Sequence, residues 1–210
     1  MKWILFFVFF ILMNSSWSQS TQENRKNSKG SVMIGEQILT TWIPSKYTGS
    51  YTYIFNEKWS LEAEYSWASF STKFVGIEIG EISENRSTLQ ARYYVSNSFH
   101  FTFGGVYSRF SAKLGNDYLD NLGNKITTGF SAENLGITGG LGNRWQWSNG
   151  MTLGVDWIRI NYPVVATKID DNSLNDVADS ADRNDLKDGI KTFNRIPTFL
   201  LFGLNIGYSF

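Results

Sequence analysis

From residue 46 onward the chain alternates apolar and polar side chains with a period of two. In the stretch 59–71, Leu61, Ala63, Tyr65 and Trp67 share one face, and Ser60, Glu62, Glu64 and Ser66 share the other. Residues 86–95 repeat the pattern, with Leu89, Ala91, Tyr93 and Val95 against Thr88, Gln90, Arg92 and Tyr94. Residues 98–110 set Phe99, Phe101, Phe103 and Tyr107 against His100, Thr102, Gly104, Val106 and Ser108. Residues 149–161 set Met151, Leu153, Val155 and Trp157 against Thr152, Gly154 and Asp156. At 196–210, Leu200, Phe202, Leu204, Ile206, Tyr208 and Phe210 oppose Leu201, Gly203, Asn205, Gly207 and Ser209. Successive side chains of a strand point to opposite faces, so each segment predicts a strand with one apolar and one polar side. Further strands are expected at 46–56 and 129–143. An eighth is assigned to 31–42, although Glu36 there shares a face with Val32, Ile34 and Ile38.

The connections predict the architecture. Those at 56–58 and 96–97 and around 144–150 are short, whereas 71–85, 111–128 and 161–194 are long and polar. Aromatics gather at the strand ends. Trp59, Phe99, Trp145, Trp147, Tyr208 and Phe210 lie near the short turns, and Trp67, Tyr107 and Trp157 toward the long connections. Two aromatic belts, with short turns on one side and long loops on the other, are what a bilayer selects in a barrel. The expected fold is all-β: an eight-stranded antiparallel up-and-down transmembrane barrel with short periplasmic turns and long extracellular loops.

The start of the chain changes the compartment. Lys2 followed by the apolar run 3–13 reads as an export signal, because 11 residues fall short of the roughly 20 that span a bilayer as a helix. Ser16 and Ser18 suit a cleavage site, so 1–18 is expected to be removed, leaving a polar, flexible leader at 19–30 before the barrel at 31–210. The 210 residues carry 19 basic and 19 acidic side chains, a balance that argues against a nucleic-acid partner. There is no cysteine, hence no disulfide, thiolate metal site, cysteine nucleophile or lipoprotein anchor.

The barrel pattern resembles the small eight-stranded bacterial outer-membrane barrels of the OmpA-like and OmpW-like group. In that group a terminal Phe, preceded at alternate positions by apolar residues, is the signal for the barrel-assembly machinery. Leu204, Ile206, Tyr208 and Phe210 match it. The resemblance implies residence in the outer membrane of a Gram-negative cell, with membrane lipid and the assembly machinery as partners; it names no extracellular ligand.

Eight strands leave an interior that side chains can fill. Glu62, Glu64, Gln90, Arg92, His100 and Asp156 are the expected polar lumen network, facing small residues such as Gly140, Gly142 and Gly203. Equal sums of paired residue numbers place Arg92 opposite Glu64, with Glu62 as the other available carboxylate. No catalytic, cofactor or metal site is expected. His100 is the single histidine and faces the lumen; the glycine-rich run 136–145 lacks the Lys-Ser/Thr pair of a phosphate loop. The Asp-rich segment 168–193 sets Asp176, Asp179 and Asp182 three apart, which suits a short helix better than a calcium loop. Two functions fit: a filled barrel acting as a structural or surface-interaction protein through its loops, or a narrow conduit for small or apolar solutes. A lipid-modifying enzyme fits less well.

Overall fold

A computed structural model describes residues 18–41, 43–74, 77–119, 125–170, 184, 187–188, 190–192 and 194–210. Residues 1–17 of the proposed signal segment lie outside them, as do Asp176, Asp179 and Asp182 of the Asp-rich segment. One helix precedes eight strands: α1 (Ser18–Asn27), β1 (Gly30–Thr40), β2 (Ser45–Ile54), β3 (Trp59–Phe74), β4 (Ile77–Tyr94), β5 (Phe99–Leu119), β6 (Lys125–Gln146), β7 (Met151–Asp170) and β8 (Thr198–Ser209). Each strand pairs antiparallel with the next, and β8 returns to β1, closing the barrel.

Closure follows from the alternation. The lumen receives Thr48, Thr52, Ser60, Glu62, Thr88, Gln90 and Arg92, none more than 4% exposed, while Ile34, Tyr51, Leu89, Phe103, Ile137 and Ile206 stand out from the wall at 48–65%. A barrel with a polar inside and an apolar outside is a transmembrane barrel, since only a bilayer makes that outer wall favourable. The outward rings also fall where expected: Trp59, Tyr208 and Phe210 at the end with the short turns, Trp67 and Tyr107 toward the other.

Three expectations are corrected. The segments 71–85 and 111–128 are not long loops. β3 and β4 continue to Phe74 and from Ile77, and β5 and β6 to Leu119 and from Lys125. A polar strand outside the bilayer is solvated on both faces while its partner satisfies its backbone, so polarity alone does not mark a loop. As a result β3 to β7 have 16, 18, 21, 22 and 20 residues, against about 9–11 needed to cross a membrane. β1, β2 and β8 have only 11, 10 and 12.

The leader is not irregular, because 18–27 forms α1 and docks on the barrel end that carries the short turns. Thr21 and Arg25 are each 2% exposed. Arg25 donates to the carbonyls of Glu57 (2.7 Å) and Asn97, in two different turns, and lies 3.4 Å over the Tyr94 ring. Asn24 donates to the Gln146 carbonyl at 2.9 Å.

Inside/outside parity also breaks in β7 and β8. Leu141 faces Ile158 but Gly142 faces Asp156, so Trp157 is an extra residue, a bulge. Beyond it Arg159 and Asn161 turn inward, and in β8 Leu200 is buried at 1% while Leu201 is 53% exposed, the reverse of the alternation expected there. The Trp157 and Phe202 rings meet at 5.9 Å at this level.

The tight turn between β6 and β7 depends on Gly150, whose φ of +85° an L side chain rarely adopts, and whose added Cβ would meet the Tyr208 ring at 2.6 Å. Gly150→Ala should lower the stability of the vesicle-embedded barrel by about 1–2 kcal/mol in urea unfolding. Gly49→Ala, where an added Cβ meets nothing within 4 Å, should leave the midpoint within about 0.5 kcal/mol of the parent.

Candidate functional site

The chemistry of this chain is concentrated in the lumen, where nine charged side chains among the described residues, none more than 6% exposed, are ordered in tiers. Glu62 of β3 anchors the lower tier. Its Oε1 accepts from Arg92 Nη2 at 2.5 Å and Gln90 Nε2 at 2.8 Å, and its Oε2 accepts from Arg144 Nη2 at 2.6 Å and Thr52 Oγ1 at 2.9 Å. One carboxylate thereby joins β2, β3, β4 and β6.

Above it Glu64 takes a two-pronged contact from Arg159, Nη1 to Oε1 at 2.5 Å and Nη2 to Oε2 at 3.1 Å, plus Gln37 Nε2 at 3.0 Å. Arg159 Nη2 also reaches Asp156 Oδ2 at 2.7 Å, and Asp156 Oδ1 lies 3.3 Å from Arg92 Nη1. A third tier pairs Glu84 with Lys46 and, at 2.5 Å, with Arg86, which also donates to Thr198 Oγ1 at 3.0 Å. Paired carboxylate and guanidinium groups are how charge is carried in a dry interior; an unpaired partner there costs several kcal/mol.

The six lumen residues expected from the sequence all face inward. Glu62, Gln90 and Arg92 meet directly, Asp156 meets Arg92, and Glu64 is held by Arg159 instead. The expected Arg92 and Glu64 register is displaced: Arg92 lies opposite Ser60, and Glu64 opposite Thr88. The cause is stagger. β4 ends at Tyr94, whose N–H donates to the Lys58 carbonyl, so the strand ends are offset from the level assumed for them. Arg92 still reaches Glu62 as the diagonal neighbour, because Glu62 is opposite Gln90.

His100 is fully buried, opposite Tyr94, with its Nε2 beside Arg92 Nη1 and 3.7 Å from Asp156 Oδ1. It completes the ionic tier, and Thr102 on the same face lies across from Arg92. Gly142 makes this possible, since a Cβ there would stand 3.1 Å from both Asp156 Oδ1 and His100 Nε2.

Lys46, Glu84, Arg86, Arg144 and Arg159 were not singled out from the sequence. Glu84 and Arg144 lie just beyond the expected strand ends, though their parity is that of Arg92 and Gly142. Arg159 is inverted by the Trp157 bulge. Its signal is local: Ile158, Ile160 and Tyr162 alternate with Arg159 and Asn161, out of phase with the first half of the strand.

The lumen is also covered at both ends. α1 lies across one mouth. At the other, Phe110, Ala112, Ala132, Leu200, Ile43 of the β1–β2 turn and Ile190 of the β7–β8 connection are buried, and Asn134 Nδ2 donates to Asn194 Oδ1 at 2.8 Å.

Double-mutant cycles read in urea unfolding test this wiring. Arg92→Leu should cost about 3–5 kcal/mol by leaving a buried carboxylate short of its partner. The cycle with Glu62→Leu should show a coupling of about 0.5–3 kcal/mol, and that with Glu64→Leu a clearly smaller one. Equal couplings would contradict the register described here.

No family model matches the sequence, and no curated protein is a match either. Solved structures do match. A major outer membrane protein from Thermus thermophilus superposes with a TM-score of 0.55 at 14% identity, over 86% of this chain and 99% of that one. The attachment invasion locus protein Ail of Yersinia pestis gives 0.50 at 13% identity, over 87% and 99%. At such identities the likeness is one of fold, and with the inverted polarity of the wall it shows that this chain is a small eight-stranded β-barrel of the bacterial outer-membrane type.

Proposed function

We propose that this protein is a sealed barrel of the outer membrane that anchors and presents a surface sheet, and that it is neither a conduit nor an enzyme. The observation that carries this reading is the lumen: three tiers of mutually bonded charged side chains lie between α1 and an apolar layer. Moving a solute would mean parting the Glu62, Arg92 and Arg144 contacts in a confined space. A conduit for apolar solutes would moreover have to pass those solutes through the charged tiers.

What the barrel would present is the part that rises above β1, β2 and β8. There β3 to β7 form a five-stranded sheet with two edges unpaired among the described residues. Residues 68–74 pair only with β4, and residues 162–170 only with β6. Unpaired strand edges with Val164 and Val165 exposed at 61% and 53% are suited to contact with another protein. Attachment is part of the Yersinia neighbour's name, which supports the reading through the shared fold.

Planar-bilayer recording is the test. The refolded chain should give no discrete conductance steps, while regular steps from protein free of contaminating porin would favour the conduit.

Biogenesis is the second part of the reading. Leu204, Ile206 and Tyr208 face outward at 45%, 49% and 57% exposure, and Phe210 joins the first strand, its N–H donating to the Gly30 carbonyl at 2.9 Å. We assign these four residues as the mark by which the assembly machinery takes up the closing strand. Phe210→Ala should refold in vitro with full strand content yet reach the outer membrane of cells in reduced amount. Equal surface levels would refute the assignment.

A further inference from the structure

A carboxylate of the first strand faces the membrane and not the lumen. Glu36 of β1 stands on the outward face between Ile34 and Ile38, opposite Tyr47 on one side and Leu204 on the other. It lies six residues above Gly30, which at about 3.3 Å per residue is about 20 Å along a tilted strand. That is inside an apolar band about 25 Å tall, in its outer half. Tyr47 and Trp67, whose ring centroids are 6.3 Å apart, mark the same level as the outer aromatic belt.

A lipid-facing carboxylate at that interface costs less than one at the bilayer centre, yet it stands where lipid headgroups can reach it. Ser45 Oγ donates to Glu36 Oε1, and among the described residues no lysine or arginine pairs with it. Among the described residues no donor is recorded to its second oxygen. Immediately beside it the wall is indented by a trough of about 550 Å³ lined by Ile34, Ile38, Tyr47, Trp67, Leu204 and Ile206. Small-molecule sites occupy roughly 300–1,000 Å³. The trough runs down the β1–β8 seam from the carboxylate toward Leu153. Its occupant is set by its surroundings: the solvent of this face is lipid, the trough is apolar, and the ionic group at its upper end is negative.

We propose that Glu36 and this trough form a binding site for a lipid whose headgroup carries a primary ammonium, with the ammonium donating to the second Glu36 oxygen and one acyl chain lying in the trough. An anionic headgroup would be repelled. A quaternary ammonium would bring charge without an N–H to donate. A second trough on the wall, about 650 Å³ between Tyr51, Ala63, Tyr65, Leu89, Tyr107 and Leu135, has no charged group on its outward face. It takes acyl chains without choosing headgroups and so serves as an internal control. The site does not depend on whether the lumen conducts.

The test uses the refolded chain in nanodiscs of phosphatidylcholine doped with equal small amounts of phosphatidylethanolamine and phosphatidylglycerol, with bound lipid read by native mass spectrometry after release. Phosphatidylethanolamine should be retained over phosphatidylglycerol by about tenfold, the factor of one charge-assisted hydrogen bond. Glu36→Gln should abolish that preference. Ile206→Trp, which fills the trough, should lower retention of every lipid there, and Ala63→Trp in the control trough should leave the preference intact. The native chain alone decides against the site if it retains the two lipids equally. A preference that survives Glu36→Gln, or a dimer burying the trough in place of a lipid adduct, would also overturn it.

Discussion

Glu62 is buried to 0% exposure and accepts four hydrogen bonds from residues on three other strands. The rest of the lumen depends on this arrangement. An eight-stranded wall sends alternate side chains into a space with little room for water, so each charge admitted must be answered by another within reach. Among the described residues Lys46, Arg86, Arg92, Arg144 and Arg159 are answered by Glu62, Glu64, Glu84 and Asp156, five cations against four carboxylates. Four carboxylates can serve five cations because Glu62, Glu84 and Asp156 each bridge two of them. Sharing also links strands that do not touch, such as β3 and β6 through Glu62 and Arg144.

The wall was legible because one face is lipid and the other is not: Leu61, Ala63, Tyr65 and Trp67 leave no choice of register within the strand. Lumen membership of Glu62, Gln90 and Arg92 followed from that parity. Contacts between strands were less legible, since the offset of Tyr94 against Lys58 is set by barrel stagger, which no single strand encodes. Arg159 was hidden because parity is only as good as the continuity of the strand, and the inserted Trp157 reverses the residues that follow it, Arg159 and Asn161 among them. The helix at 18–27 left no periodic trace because its contacts are hydrogen bonds to turn carbonyls and a cation over a ring, not an apolar stripe.

Strand length divides the molecule into two regimes. Up to the tops of β1, β2 and β8 every strand has a neighbour on both sides, as a bilayer requires. Above that level the same five strands stand in water, where an open edge costs little. The change of medium explains why polar sequence there continues as sheet, and why the lumen tiers give way to buried Phe110, Ala112 and Ala132 at the outer mouth.

The seam between β1 and β8 has a temporal meaning as well. Ser31 is paired with Ser209, and the Lys29 N–H donates to the Phe210 carbonyl at 2.7 Å, so the first strand made is joined to the last. Every other strand pair is a hairpin between sequence neighbours; this one closes a loop of nearly the whole chain, the slowest kind of contact to find. Until β8 has been synthesised and delivered, β1 has one open side, and Glu36 and its neighbours have only one flanking strand. The last hydrogen-bond ladder of the cylinder therefore waits for β8, and the chain must be kept from finding another partner for the open side of β1 in the meantime.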